Sequence, residues 1–260
     1  MKVSVLIANY NNDQYIIDCI NSLKKQTYQN IEIIFFDDKS KDKSLDVVKR
    51  FSEVKLLINE KEKKIHGSFN QLNSYKEAFK KCSGEIIFFL DSDDYFHEEK
   101  IANVVKEFEK NNNLKIIFDL PIIKTNRGEK IPKGQFFNKT YWPYIPPQSC
   151  ISISRKYIEQ VYDLIDFDLF PNIWMDFRIG IVSKYILDSY YILNKRLTYY
   201  RKSEKNISSK FEHMSRSWWK RRLEAHDYIK YFFLKHKIKY KKNLDYYFTK
   251  LINLVLWKKK

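Results

Sequence analysis

Hydrophobic positions in the first 120 residues fall into short apolar runs separated by stripes of helical period. The runs at residues 3–8, 31–36, 54–58, 86–90 and 115–118 are four to six residues long and predict buried strands. The first stripe is Tyr15, Ile16, Cys19, Ile20 and Leu23, with Asp13 placed to cap it. A second helix opens at Ser40 or Asp42 and runs to Phe51. A third carries Phe69, Leu72, Phe79 and Cys82 and is stopped by Ser83-Gly84. A fourth carries Ile101, Val104, Val105 and Phe108. Strand–helix alternation of this kind predicts an α/β fold with a mostly parallel sheet and helices on both faces. In such sheets ligands bind beyond the carboxyl ends of the strands.

The alternation stops at Pro121. From there to Gln148, prolines and glycines at 121, 128, 132, 134, 143, 146 and 147 predict loop and edge structure. A second structured region spans 149–200. Residues 210–260 differ again, with 15 Lys and Arg against 4 acids, +11 of the chain's total of +16. Aromatic and aliphatic residues are interleaved with that charge, and Leu223, Tyr231 and Leu234 share a helical spacing. A basic helix with a bulky apolar face suits an anionic membrane surface. The same pattern suits a helix packed on the preceding domain with its lysines solvated, and an aromatic tail can equally bury itself against a second copy of the chain. Nucleic acid ranks behind these, since a basic stretch alone does not separate phosphate partners. The expected division is a domain over 1–209, split at about 120 into two halves, and a basic helical tail over 210–260.

Composition narrows the chemistry. Only 5 of the 260 residues are glycine, and neither G-x-G-x-x-G nor G-x-x-x-x-G-K-[ST] occurs, so a bound phosphate ester needs something other than a glycine-rich loop. Cys19, Cys82 and Cys150 are odd in number, far apart and set among apolar residues, which reads as core packing in a reducing compartment. No apolar run approaches the roughly 18 residues of a membrane span, so a cytoplasmic protein, peripheral at the inner membrane face, is expected.

Three of the predicted strands end in polar residues: Asn9-Tyr10-Asn11-Asn12, Asp37-Asp38 and Asp91-Ser92-Asp93-Asp94. Parallel strands bring such ends to one rim. A lone D-S-D-D is ordinarily a capped turn. Several carboxylates on one rim repel each other unless a divalent cation or ligand hydrogen bonds offset them. Mg²⁺ or Mn²⁺, with hard oxygen ligands, would join such carboxylates to a diphosphate.

The run VSVLIANYNNDQYIIDCINSLKKQTYQNIEIIFFDDKSKD, followed by SGEIIFFLDSDDYF, resembles the family 2 glycosyltransferases of the GT-A fold. The likeness is close over about residues 1–110 and looser over about 140–210. It implies a Rossmann-like sheet and positions for a nucleotide-sugar. Ala8 and Tyr10 would lie against base and ribose. Asp38, with Asp37 the alternative, would accept from a uracil-type N–H. Asp91 would face the ribose or sugar, Ser92 would add a backbone or hydroxyl contact, and Asp93 would hold Mn²⁺ or Mg²⁺ on the diphosphate.

The family also implies an acidic general base near an aromatic residue. Asp176, in Pro171-Asn172-Ile173-Trp174-Met175-Asp176-Phe177-Arg178, is the match; Asp166 and Asp168 compete, and a cap or an ion pair with Arg178 is the structural alternative. Pro146, Pro147, Gln148 and Trp174 would shape the acceptor site. Two departures stand out. Met175 replaces the family's Glu, and Tyr200-Arg201-Lys202-Ser203 lacks the family's His, with Arg201 left to meet the departing diphosphate or solvent. The expected reaction is metal-dependent, inverting transfer from a UDP-sugar to a hydroxyl of a glycan or lipid-linked glycan. A sugar nucleotidyltransferase, which normally needs a Gly-rich N-terminal loop, and a non-catalytic basic module are the rivals.

Overall fold

A computed structural model of the chain describes residues 1–62, 66–132, 142–166, 168–202, 211–241 and 243–257. Gly134, Ser203, Lys210, the three terminal lysines and the side chain of Trp257, all part of the expectations above, lie outside the described residues.

Four parallel strands form the first half of the sheet: β1 (Val3–Asn9), β2 (Ile31–Asp37), β3 (Val54–Ile58) and β4 (Ile86–Asp91). They lie in the order β3-β2-β1-β4. The second half is mixed. It contains β5 (Tyr95–Phe96), β6 (Ile116–Thr125), β7 (Gly128–Lys130), β8 (Ile151–Ser154) and β9 (Tyr191–Arg201). Strand β8 runs antiparallel between β4 and β6, while β6 and β9 are parallel.

Helices α1 (Asp13–Lys24), α2 (Ser44–Val48) and α4 (Lys100–Lys110) cover one face, where Val5 and Ile7 meet Ile16, Cys19, Ile20 and Val104. Helices α3 (Gly67–Phe79), α5 (Arg155–Leu164), α6 (Met175–Tyr185) and α7 (Arg216–Lys235) build the other core, against Leu6, Ile34 and Phe89. Side-chain alternation along β1 feeds both cores. Cys19 and Cys150 are buried and Cys82 is half-buried; all three are free thiols.

Four expectations are corrected. The chain from Pro121 is strand rather than loop as far as Thr125, because the irregular pairing of β6 with β9 around Leu120 and Pro121 accommodates a residue with no N–H to donate. Asp13 is the first helical residue of α1 and not its cap; Asp42, from the loop after β2, accepts its N–H at 3.0 Å. Helix α3 ends at Phe79, short of Gly84. That glycine is required by proximity, since a Cβ there would come within 2.5 Å of the Ser4 nitrogen.

The fourth correction concerns the tail. In α7 the buried stripe is Trp219, Ala225, Tyr228, Ile229, Phe232 and Phe233, while Leu234 is exposed. The stripe of Leu223, Tyr231 and Leu234 read from the sequence is therefore not the buried one, because tertiary packing selects the bulkier arc. Each large apolar side chain so buried contributes about 2 kcal/mol, and α7 belongs to the same core as α6. Helix α8 (Leu244–Trp257) turns the opposite way. Its polar side docks on α7: Asp245 accepts from Arg222 at 2.8 and 2.7 Å, and Asn253 donates to the Trp219 carbonyl at 2.9 Å. Leu244, Tyr247, Phe248, Leu251, Leu254 and Val255 are consequently all more than half exposed.

Candidate active site

The carboxyl ends of β1, β2 and β4 share one rim. Ala8 pairs with Asp91 and Asn9 with Asp37, so Asp37 and Asp91 stand two strands apart, about 10 Å at ordinary strand spacing. The acidic residues therefore divide into two groups and do not surround a single point.

The first group is already satisfied by the protein. Asp37 is buried, accepting from Asn9 Nδ2 and the Ser40 N–H, both at 2.8 Å. Asn11, at positive φ, takes the Ser40 hydroxyl on its N–H, and its side chain accepts from the Lys41 N–H. The loops after β1 and β2 are thus clasped together. Asp38, also buried, accepts from Asn59 Nδ2 at 2.6 Å at the end of β3. Tyr10 is 47% exposed above this rim and Ala8 is packed beneath it.

The second group could hold a cation. Oxygens of Asp91, Asp93 and Asp94 lie within 4.8 Å of one another. Asp91 Oδ1 accepts from Gln71 and Tyr75, both at 2.6 Å, which fixes its orientation. Asp94 accepts from the Ser149 hydroxyl at 2.6 Å and the Arg201 N–H at 2.8 Å. Asp93 accepts no hydrogen bond from another described residue. Burial pushes its carboxyl up to about 7, and the neighbouring Asp91 adds to the rise. Asp94 is held well above the carboxylate range by burial, then by Asp93 and Asp91. Three such groups with one left unsatisfied fit a hard divalent cation, which would be ligated chiefly through Asp93. Sequence reading left Asp94 out; the signal was there as the fourth residue of D-S-D-D.

Ser92 is fully buried, its N–H donating to the Ala8 carbonyl and its hydroxyl accepting from Asn12. It ties β1 to β4, a role invisible in the motif. Arg201 gives its backbone to Asp94 while its guanidinium pairs with Asp18 at 3.0 Å and lies over Tyr15 and Tyr95.

A buried ion pair supports the triplet from below. Lys100 Nζ reaches Asp119, the Thr198 hydroxyl and the Ser149 carbonyl, each at 2.6 Å, and both charged side chains are wholly buried. Ser149 in turn donates to Asp94 and accepts the Asp91 N–H. Asp119→Ala strands the lysine charge and is expected to destabilise the fold by about 3–5 kcal/mol in denaturant titration. Next to Ser149, Gln148 is buried, and neither its amide oxygen nor its amide nitrogen is hydrogen-bonded among the described residues. Such an orphan costs about 1–3 kcal/mol per group unless a ligand completes it.

Asp176 lies in the first turn of α6, where the helix dipole favours a negative charge. Its Oδ1 accepts the Phe177 N–H at 2.7 Å. Burial raises its pKa to about 7; the Phe177 N–H and Arg221 oppose that rise and Asp91 reinforces it. Asp176 thus lies in the electrostatic reach of the acidic triplet. An ion pair with Arg178 does not form. Arg178 is buried and donates to the carbonyls of Ile165, Asp166, Leu169, Phe170 and Ile173, fixing the loop that carries Trp174 and Asp176. Of the competitors, Asp166 is bonded to Lys235 and stands within that clamp. Met175 is buried in the core, so the family's Glu is replaced by a packing residue.

A sequence profile described as glycosyl transferase family 2 matches residues 4–175, and the chain belongs to that family. An uncharacterised glycosyltransferase of Nostoc is 30% identical over 77% of this chain and 65% of its own length. The poly(ribitol-phosphate) β-N-acetylglucosaminyltransferase TarS of Staphylococcus aureus is 29% identical over 52% of this chain and 23% of its own. A UDP-glucose:α-D-GlcNAc-diphosphoundecaprenol β-1,3-glucosyltransferase of Escherichia coli is 36% identical over 48% of this chain and 47% of its own. The chain thus spans less than two thirds of these relatives. The crystal structure of TarS 1–349 with UDP-GlcNAc superposes with a TM-score of 0.64 at 20% identity, over 88% of this chain and 66% of that one. A Pyrobaculum calidifontis mannosyltransferase with GDP-mannose and Mn²⁺ gives 0.58 at 15% identity, over 94% and 66%. At these identities the likeness is one of fold.

Proposed function

We propose that the protein transfers a sugar from a nucleotide diphosphate, UDP in the first instance, to a hydroxyl of a glycan or lipid-linked glycan in cell-surface polysaccharide or glycolipid synthesis. The observation that carries this reading is the carboxylate triplet of Asp91, Asp93 and Asp94 on the same rim as Asp38, with Asp176 in its field. Asp38 accepts from the uracil N–H, and Ala8 and Tyr10 pack against base and ribose. Asp91 accepts from the ribose or the donor sugar. Mn²⁺ or Mg²⁺, when bound at Asp93, supplies positive charge that stabilises the leaving diphosphate.

Asp176 takes the proton of the acceptor hydroxyl as that oxygen attacks the anomeric carbon, and its raised pKa suits it to this at neutral pH. With one base and no second carboxylate assigned as nucleophile, the displacement is a single step with inversion. Gln148, whose buried amide has no partner among the described residues, and Trp174, an aromatic face, contact the acceptor or the transferred sugar. The names of the relatives, one using UDP-glucose on a diphosphoundecaprenol-linked sugar and others acting on poly(ribitol-phosphate), and the TarS structure with UDP-GlcNAc support the class of donor and acceptor. The test is UDP release from a panel of UDP-sugars with Mn²⁺. Metal-dependent release from at least one donor supports the reading, and none from any donor refutes it.

The outward apolar side of α8, in the tail that carries most of the chain's excess charge, supports residence on an anionic membrane face. Leu251→Glu combined with Leu254→Glu is expected to abolish sedimentation with vesicles rich in phosphatidylglycerol while leaving the melting temperature unchanged. Retained sedimentation, or a change from dimer to monomer with no vesicle binding in the parent, would assign that face to something other than lipid.

A further inference from the structure

The tail contributes more than a surface. Arg221, in the second turn of α7, has its guanidinium between the rings of Trp174 and Phe211, with centroids 4.1 and 4.2 Å away. Its Nε donates to the Asn172 carbonyl at 2.8 Å. Its two terminal nitrogens make no hydrogen bond and no ion pair among the described residues. The nearby acid Glu224 is committed elsewhere, accepting from the Asn172 N–H at 3.1 Å and from its side-chain amide at 2.9 Å. A guanidinium stacked in this way is held flat, with an edge of N–H donors left for a partner of matching planar or forked geometry. Arg221 is half-buried, so a ligand that used this edge would offset part of the cost of drawing the charge away from water.

We propose that Arg221 binds an oxyanion, a phosphate or carboxylate, carried by the acceptor next to the hydroxyl that Asp176 deprotonates. The proposal deepens the glycosyltransferase reading and rests on it. Position separates it from the donor site. Arg221 is adjacent in the fold to Trp174, Asn172 and Asp176, on the segment entering α6, whereas the carboxylates that would hold the donor's metal lie at the end of β4. Asp176 is in the field of both Asp91 and Arg221, so the metal end and the arginine both lie near the base. An acceptor gripped there by its anionic group would offer its hydroxyl toward the donor. The acceptor class is then an anionic glycan or a phosphorylated carrier, and a neutral sugar lacks the group the site is built to hold.

The test is nuclear magnetic resonance of the ¹⁵N-labelled full chain, following the Trp174 indole and Arg221 Nε signals during titration with inorganic phosphate. It is run with and without saturating UDP and Mg²⁺. Saturable shifts in the millimolar range are expected in both conditions. Arg221→Met should remove the phosphate-dependent shift of the Trp174 indole, and Asp93→Ala should leave both signals' shifts intact. Arg221→Lys should weaken phosphate binding about tenfold, and it keeps the test usable if the methionine variant does not fold. The inference is overturned if phosphate produces no saturable shift or if Arg221→Met leaves the shifts unchanged. It is equally overturned if UDP with Mg²⁺ displaces the phosphate, since the arginine would then serve the donor diphosphate. If UDP with Mg²⁺ does not raise the melting temperature of the parent protein, the donor reading is refuted instead, while the phosphate arm stays legible.

Discussion

Asp93→Ala is expected to lower UDP-sugar turnover about 1,000-fold, the roughly 4 kcal/mol that a divalent cation supplies to a leaving diphosphate. It should also remove the metal dependence of UDP affinity in calorimetry. Stability should move the other way. Burial and Asp91 raise the folded pKa of Asp93 to about 7, above the ordinary carboxylate value of the unfolded chain. Between those values the folded state binds more protons. The contribution of this group to stability is therefore complete below the unfolded value and is lost as pH rises through about 7. Metal-free Asp93→Ala should accordingly melt above the metal-free parent at pH 8, with the gap closing at pH 4. A variant that is less stable and fully active would remove Asp93 from the cation site.

Asp176→Asn should reduce transfer by about 100- to 10,000-fold, the usual range for loss of a general base, while UDP–Mn²⁺ affinity stays within about twofold. The amide keeps the oxygen that accepts the Phe177 N–H, so α6 should still start correctly. In the parent, the transfer rate with donor and metal saturating should fall about tenfold per pH unit below about 7 and level off above it, because Asp176 must be unprotonated. Equal loss of donor binding and transfer would make Asp176 structural.

The parallel half of the fold was legible because its strands are buried on both faces and read as unbroken apolar runs, as in residues 86–90. The mixed half was not. Pro121 interrupts the pattern, yet lies inside β6 where the ladder is irregular, a pairing fixed by β9 some 70 residues later. Within the site, Asp91 and Asp93 were readable from local spacing. Asp94 was passed over although it stands in the same run. Lys100, Asp119, Gln71 and Tyr75 could not be read, because their function is contact across the fold. Arg178 was readable only as an ion-pair partner for Asp176 and Arg221 only as one charge of a basic tail, and packing alone shows one clamping five carbonyls and the other against two rings. The tail was ambiguous for a physical reason. Its two helices turn opposite faces to the core, so a count of charges and rings over 210–260 averages a packed helix with an outward-facing one.

The central claim is that the donor's metal and base are held at opposite ends of one rim, by the triplet after β4 and by Asp38 after β2. Anomalous diffraction from crystals soaked with UDP and Mn²⁺ tests this directly. A manganese peak bonded to Asp93, with the uracil ring within hydrogen-bond distance of Asp38, is the predicted result. A peak away from the triplet, or a uracil ring bound elsewhere on the chain, would contradict it.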